Sequence, residues 1–140
     1  MDKIFQFEPN LGEEEKKELV SVIDSGWYTE AGKTREFEKM FAEFVGRKFA
    51  VATTSGTAAL CIAAQGLGLT NNDKVIVPDM TFVASPNSVV LAGAKVELVD
   101  IEKQNLCLDL DKTKAMVSKD TKAIMPVDFN GRAPDLVELK

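Results

Sequence analysis

The chain has 140 residues, 45% hydrophobic and 28% charged, with a formal net charge of −5 and no histidine, an ordinary globular composition for a single domain. Its acidic balance and lack of a Lys/Arg cluster speak against a nucleic-acid surface, which needs basic residues to displace counterions from phosphates. Without histidine a Ser-His-Asp triad, a Cys-His pair and a His-ligated metal are excluded within the chain, and no metal-ligand spacing is present. No apolar run reaches the roughly 18 residues of a membrane span. The first ten residues carry mixed charges instead of a signal-peptide pattern, which predicts a cytoplasmic protein. Cys61 stands in an apolar helical run and Cys107 between two leucines, so both are expected as buried, reduced thiols.

An extended start over 4–9 leads into a helix over 12–25. There Glu13, Glu14 and Glu15 precede Lys16 and Lys17, the charge order that a helix dipole favours. Leu19, Val22 and Ile23 give it an apolar stripe, and Gly26 ends it. The next segment, 27–33, fits neither helix nor strand period and holds the only Trp and the only Tyr of the chain, Trp27 and Tyr28. Such a loop is either pinned by its aromatic residues or uses them on a ligand. Thr34 is the expected cap of a second helix, whose stripe of Phe37, Met40, Phe41, Phe44 and Val45 should be core. Gly46 stops it, and the apolar run 49–52 reads as a buried strand.

Residues 53–57 then turn the chain into a helix over 58–67 that is apolar nearly all round and should be buried on more than one side. Backbone N–H groups at a helix start have no partner within the helix and feel the positive end of its dipole, so the turn suits a phosphate. Gly56 permits close approach, and Thr54, Ser55 and Thr57 can add hydroxyl donors. An ordinary turn with a Ser/Thr cap is the competing reading. A strand over 74–78 ends at Pro78, and Ser85 followed by Pro86 predicts a helix start, with Gly93 closing that helix. Further on come a strand over 95–99, a helix from the Asp109 cap to about Val117, a strand over 123–127, and a helix opening at 135–140.

Strands and helices thus alternate, the connections are too long for hairpins, and the strands are apolar runs. This predicts an α/β fold with a mostly parallel sheet covered on both faces. Ligands in such sheets sit beyond the carboxyl ends of strands, where three turns are expected, at 53–57, 78–82 and 128–131. No GxGxxG or Walker A sequence occurs.

Several ordered segments carry a family resemblance. They are Gly26-Trp27 with Gly32 and Phe37-Glu38; Ser55-Gly56-Thr57-Ala58-Ala59-Leu60; and Val75-Ile76-Val77-Pro78 with Thr81-Phe82-Val83-Ala84 and Asn87. Gly93-Ala94, Val99-Asp100-Ile101, Thr121-Lys122-Ala123-Ile124, Pro126-Val127 and Gly131 complete the set. Together these resemble the N-terminal part of the DegT/DnrJ/StrS sugar aminotransferases, pyridoxal-phosphate enzymes of fold type I, from about Ile4 to Lys140. The resemblance implies that Ser55, Gly56 and Thr57 hold the phosphate of pyridoxal 5'-phosphate and that Phe82 stacks on its ring. Core filling is the structural alternative for Phe82. It also implies that Trp27, Tyr28, Thr29 and Asp128 line the sugar-nucleotide site. Asp128 falls where many members have His and others an acid, a departure that bears on substrate choice.

The implied reaction moves an amino group from glutamate to a keto group of a nucleotide-linked deoxysugar, in a homodimer. The family's Schiff-base lysine lies beyond the Pro126-Val127 segment, and neither Lys122 nor Lys140 replaces it. The chain is therefore expected to be the first part of the large cofactor-binding domain, inactive alone. A keto-deoxysugar dehydratase of the same family and a non-catalytic binding relative are the competing expectations.

Overall fold

A computed structural model describes residues 5, 8–29 and 32–139. The extended start expected over 4–9 therefore lies partly outside the described residues, as do Glu30 and Ala31 of the loop and Lys140. The chain divides into two compact units, Met1–Ala52 and Thr53–Lys140.

In the smaller unit, α1 (Glu13–Ser25) opens with its three glutamates, and Glu15 reaches back to accept the Gly12 N–H at 2.6 Å. Gly26 ends α1 in the left-handed region (φ 69°), its N–H donating to the Ile23 carbonyl. The second helix, α2 (Gly32–Phe44), starts two residues before the expected Thr34 cap, so Thr34 lies inside it. Gly46, at φ 64°, turns the chain out of it as expected. The stripes of both helices depart from expectation. Phe37, Met40, Phe41, Phe44 and Val45 are exposed, as are Leu19 and Ile23, and only Ala42 of α2 is buried among the described residues. An amphipathic period shows which face of a helix favours cover, not which part of a polypeptide supplies it.

No strand forms over 49–52. Phe49 and Val51 are 76% and 77% exposed, and the Ala52 N–H donates to the Glu38 carboxylate at 2.9 Å. An apolar run becomes a strand only where a neighbouring backbone supplies the ladder. Here one N–H of the run, that of Ala52, is met by a side chain instead.

The larger unit is built on a parallel sheet in the order β2-β1-β3, formed by β1 (Lys74–Pro78), β2 (Lys95–Val99) and β3 (Thr121–Ile124). The central strand is buried on both faces, and its side chains alternate between two clusters, as the two-residue period requires. Val75 and Val77 pack with Val89 and Ala94 on one face. Ile76 packs with Val99 and Leu108 on the other. The first face is covered by α4 (Ala84–Leu91), and the second by the segment from Leu108 to Met116, which contains α5 (Leu110–Met116). This agrees with the α/β sheet covered on both sides.

Three elements shift from expectation. The strand expected over 123–127 begins at Thr121, which pairs with Lys74; the register shifts at Lys122 before Ala123 and Ile124 pair with Val75 and Ile76, and beyond Ile124 the Met125 N–H still reaches the sheet, at the Ile76 carbonyl. Residues 136–139 form a turn in which the Asp135 carboxylate accepts the Val137 and Glu138 N–H groups. The third helix, α3 (Gly56–Gly66), begins two residues early and buries only Ala64, leaving Ile62 exposed. α3 packs against α4 on one side, less cover than its composition predicted.

Asp109 caps α5 as expected, accepting the Lys112 N–H at 3.0 Å. Cys107 is buried, its thiol donating to the Arg132 carbonyl at 3.1 Å, whereas Cys61 is only half-buried.

Candidate functional site

Ser55 is the N-cap of α3, its hydroxyl accepting the Ala58 N–H at 3.1 Å, while its carbonyl accepts the Ala59 N–H. The Thr53 hydroxyl donates to the same carbonyl at 2.9 Å and tightens the turn. The capping reading is thus correct for Ser55. It leaves the next two amides over: the N–H groups of Gly56 and Thr57 meet no acceptor among the described residues, and both residues are exposed. They point from the first turn of an 11-residue helix, where the dipole favours negative charge. A Cβ at Gly56 would meet nothing within 4 Å. Packing within the chain therefore does not demand glycine there.

At the carboxyl end of β1, Pro78 is buried and the Asp79 N–H donates to the Val99 carbonyl, so the turn that follows is tied to β2. Phe82 stands on that turn 75% exposed, so no core within these residues covers it. Ser85 is not the cap of α4. That helix starts two residues before the expected first position at Pro86, at Ala84, with no side-chain cap. Pro86 consequently sits in the first turn, where its missing N–H is one of those left unpaired in any helix. The Ser85 hydroxyl lies 2.8 Å from that of Thr81 instead.

Asp128 is exposed after β3, and its carbonyl accepts the Gly131 N–H at the short turn Phe129–Gly131. Gly56, Thr57, Phe82 and Asp128 thus all stand exposed in the larger unit. Two of the three expected turns follow strands of the sheet, and the third follows the 49–52 run, which forms no strand.

Trp27, Tyr28 and Thr29 belong to the smaller unit. Trp27 is 62% exposed, and its N–H donates to Ser25 Oγ at 3.2 Å. The Tyr28 hydroxyl reaches back to the Ile23 carbonyl at 3.3 Å, so Tyr28 pins the loop while Trp27 faces outward. Trp27 and Thr29 line an open groove of about 820 Å³, together with Lys33 from α2 and Ser25 from α1. Lys33 was not singled out from sequence, although its three-residue spacing from Glu36 marks a helical ion pair. Its ammonium lies 2.6 Å from Glu18 and 3.3 Å from Glu36. The Glu18 bond, then Glu36, holds Lys33 protonated above its ordinary range, and the same bond lowers Glu18. The cationic head in this groove is therefore already balanced by carboxylates. No group of His, Cys, Asp and Glu able to hold a metal occurs among the described residues, and no described helix is long and apolar enough to cross a membrane.

Residues 9–140 match the profile of the DegT/DnrJ/EryC1/StrS aminotransferase family. The chain belongs to this family. It is 42% identical over 135 residues to GDP-perosamine synthase of Vibrio cholerae, covering 96% of this chain and 37% of that protein. The solved PMP-form of the sugar aminotransferase Spr1654 from Streptococcus pneumoniae superposes with a TM-score of 0.86 at 34% identity, over 94% of this chain and 33% of that one. A GDP-4-keto-6-deoxymannose-3-dehydratase superposes with a TM-score of 0.90 at 28% identity, over 94% of this chain and 36% of that one. The DegT-family chain described here thus spans about a third of the length of these relatives.

Proposed function

We propose that this chain is the N-terminal part of the cofactor-binding large domain of a pyridoxal-phosphate enzyme. That enzyme moves an amino group from glutamate to a keto group of a nucleotide-linked deoxysugar, working in the cytoplasm as a homodimer. The observation that carries the reading is the family match over 9–140. The relatives are named for such chemistry: a GDP-perosamine synthase, and a sugar aminotransferase solved in PLP- and PMP-forms.

The residues present fit the cofactor. A phosphate needs donors that are free and approachable, and the unpaired Gly56 and Thr57 amides at the start of α3 are both. Thr57 adds a hydroxyl, while the Ser55 hydroxyl, already engaged with Ala58, shapes the turn. Phe82 offers a bare aromatic face to a pyridine ring. When bound, the cofactor supplies an electron sink for cleavage at the amino carbon. Trp27, Thr29 and Asp128 are assigned to the sugar-nucleotide, with Tyr28 holding the loop that carries Trp27.

The superposition on a dehydratase favours a second reading, loss of a sugar hydroxyl on the same scaffold. The two separate in one assay on the intact protein, with pyridoxal 5'-phosphate, nitrogen-15 glutamate and a keto-deoxysugar nucleotide. Label in a sugar amine establishes transamination, and a deoxygenated keto sugar without label establishes dehydration. Cofactor binding with neither product leaves a non-catalytic relative. Absence of cofactor binding sinks the whole reading.

A further inference from the structure

The turn that presents Phe82 is held from beneath by side chains rather than by the usual cap. Thr81 Oγ1 and Ser85 Oγ lie 2.8 Å apart, Thr81 half-buried and Ser85 buried. The Ser85 N–H donates to the Phe82 carbonyl at 3.0 Å, and the Ser88 hydroxyl, itself buried, donates to the Ser85 carbonyl at 2.8 Å. Phe82 is therefore flanked by a hydroxyl pair that bridges from one side of it to the other, and its own carbonyl is tied to the same serine. Phe82 itself nevertheless stays 75% exposed.

Two features make this more than loop packing. The Ser-Pro pair would ordinarily cap the helix, yet α4 has no side-chain cap and Ser85 bonds Thr81 instead. The fastening also ties the backbone at 81–85 and leaves Phe82 largely exposed. A flat ligand ring gains most from an aromatic face whose orientation is set before binding, because little freedom is then lost.

We infer that Thr81 and Ser85 are positioning residues that hold Phe82 in place to stack on the cofactor ring. The inference rests on the proposed pyridoxal-phosphate site. Thr81→Val removes the hydroxyl and keeps the shape. Ser85→Ala breaks the same bond from the other end, and Thr81→Ser restores it. On the intact protein, dialysis against pyridoxal 5'-phosphate and separately against inorganic phosphate distinguishes the ring from the phosphate grip, and visible circular dichroism of the bound cofactor reports ring orientation.

The expected result is a fall of about 5- to 10-fold in cofactor affinity for Thr81→Val and Ser85→Ala, with a weakened dichroic band. Phosphate affinity should stay within about twofold, and Thr81→Ser should match the unaltered protein. Unchanged cofactor affinity and dichroism in the two hydroxyl-deleting variants, beside a loss in Phe82→Ala, would overturn the positioning role and leave the site standing. An equal loss of phosphate affinity overturns it as well, since the bond would then support the whole region. If the unaltered protein binds no pyridoxal 5'-phosphate, the site and this inference fall together.

Discussion

The Glu38 carboxylate accepts the Ala52 N–H and the Arg35 guanidinium, each at 2.9 Å. The Ala52 bond first, and Arg35 second, hold its pKa below the ordinary glutamate range. A group whose folded pKa is depressed contributes stability above its unfolded pKa and loses it as pH falls through the folded one. A carbon-13 titration should therefore find Glu38 still ionised below about pH 4.3, the ordinary value. Arg35→Ala should recover part of the shift and leave the part due to the Ala52 N–H; full recovery would assign the whole shift to Arg35. At Gly56, where no neighbour crowds the missing side chain, Gly56→Ala should leave thermal stability unchanged or raise it by at most about 1 kcal/mol. The same substitution should weaken pyridoxal-phosphate binding if a phosphate approaches that amide. A drop in melting temperature would mean that the glycine serves the fold.

At the scale of elements, the capping of α5 is tested by Asp109→Ala, which removes the acceptor for the Lys112 N–H and should cost about 1 kcal/mol in urea unfolding. Ile76→Ala, at a fully buried site of the central strand, should cost about 2–5 kcal/mol; a cost well below that would mean the sheet is not the core of its unit. Which elements were legible in the sequence follows from where their stabilising partners lie. The first helix, the strands at 74–78 and 95–99 and the Asp109 cap rest on local period and local end signals, and each was read correctly. Residues 49–52 have the composition of a strand, but a strand also needs a neighbour distant in sequence, which composition does not report. The strand was expected from Ala123 because the apolar run begins there; Thr121 joins the ladder opposite Lys74 through its backbone, which its polar side chain does not announce. Ser85 and Pro86 gave a strong start signal that was right about the helix and wrong about the hydroxyl, whose partner Thr81 lies before the helix.

For the molecule as a whole, apolar side chains left bare include Leu19, Ile23, Phe37, Met40 and Phe44. Large exposed apolar areas favour association, so the chain by itself should bind a hydrophobic dye and sediment faster as its concentration rises. A concentration-independent monomer with no dye binding would contradict this. The chemistry of the candidate site was legible where it depends on backbone at a helix start or on a residue just past a strand, as at Gly56, Thr57 and Phe82. It was not legible at Lys33, whose position in the groove depends on Glu18 in a different helix.

The two thiols bring a further consequence. Cys107 is sealed against the Arg132 carbonyl while Cys61 lies on a half-covered helix, so a thiol reagent separates them in time. Modification of half-buried Cys61 should come first, whereas Cys107 must wait until the segment carrying it parts from Arg132. Mass spectrometry at intervals then makes Cys107 a stopwatch for the opening of the larger unit, running inside the unaltered chain.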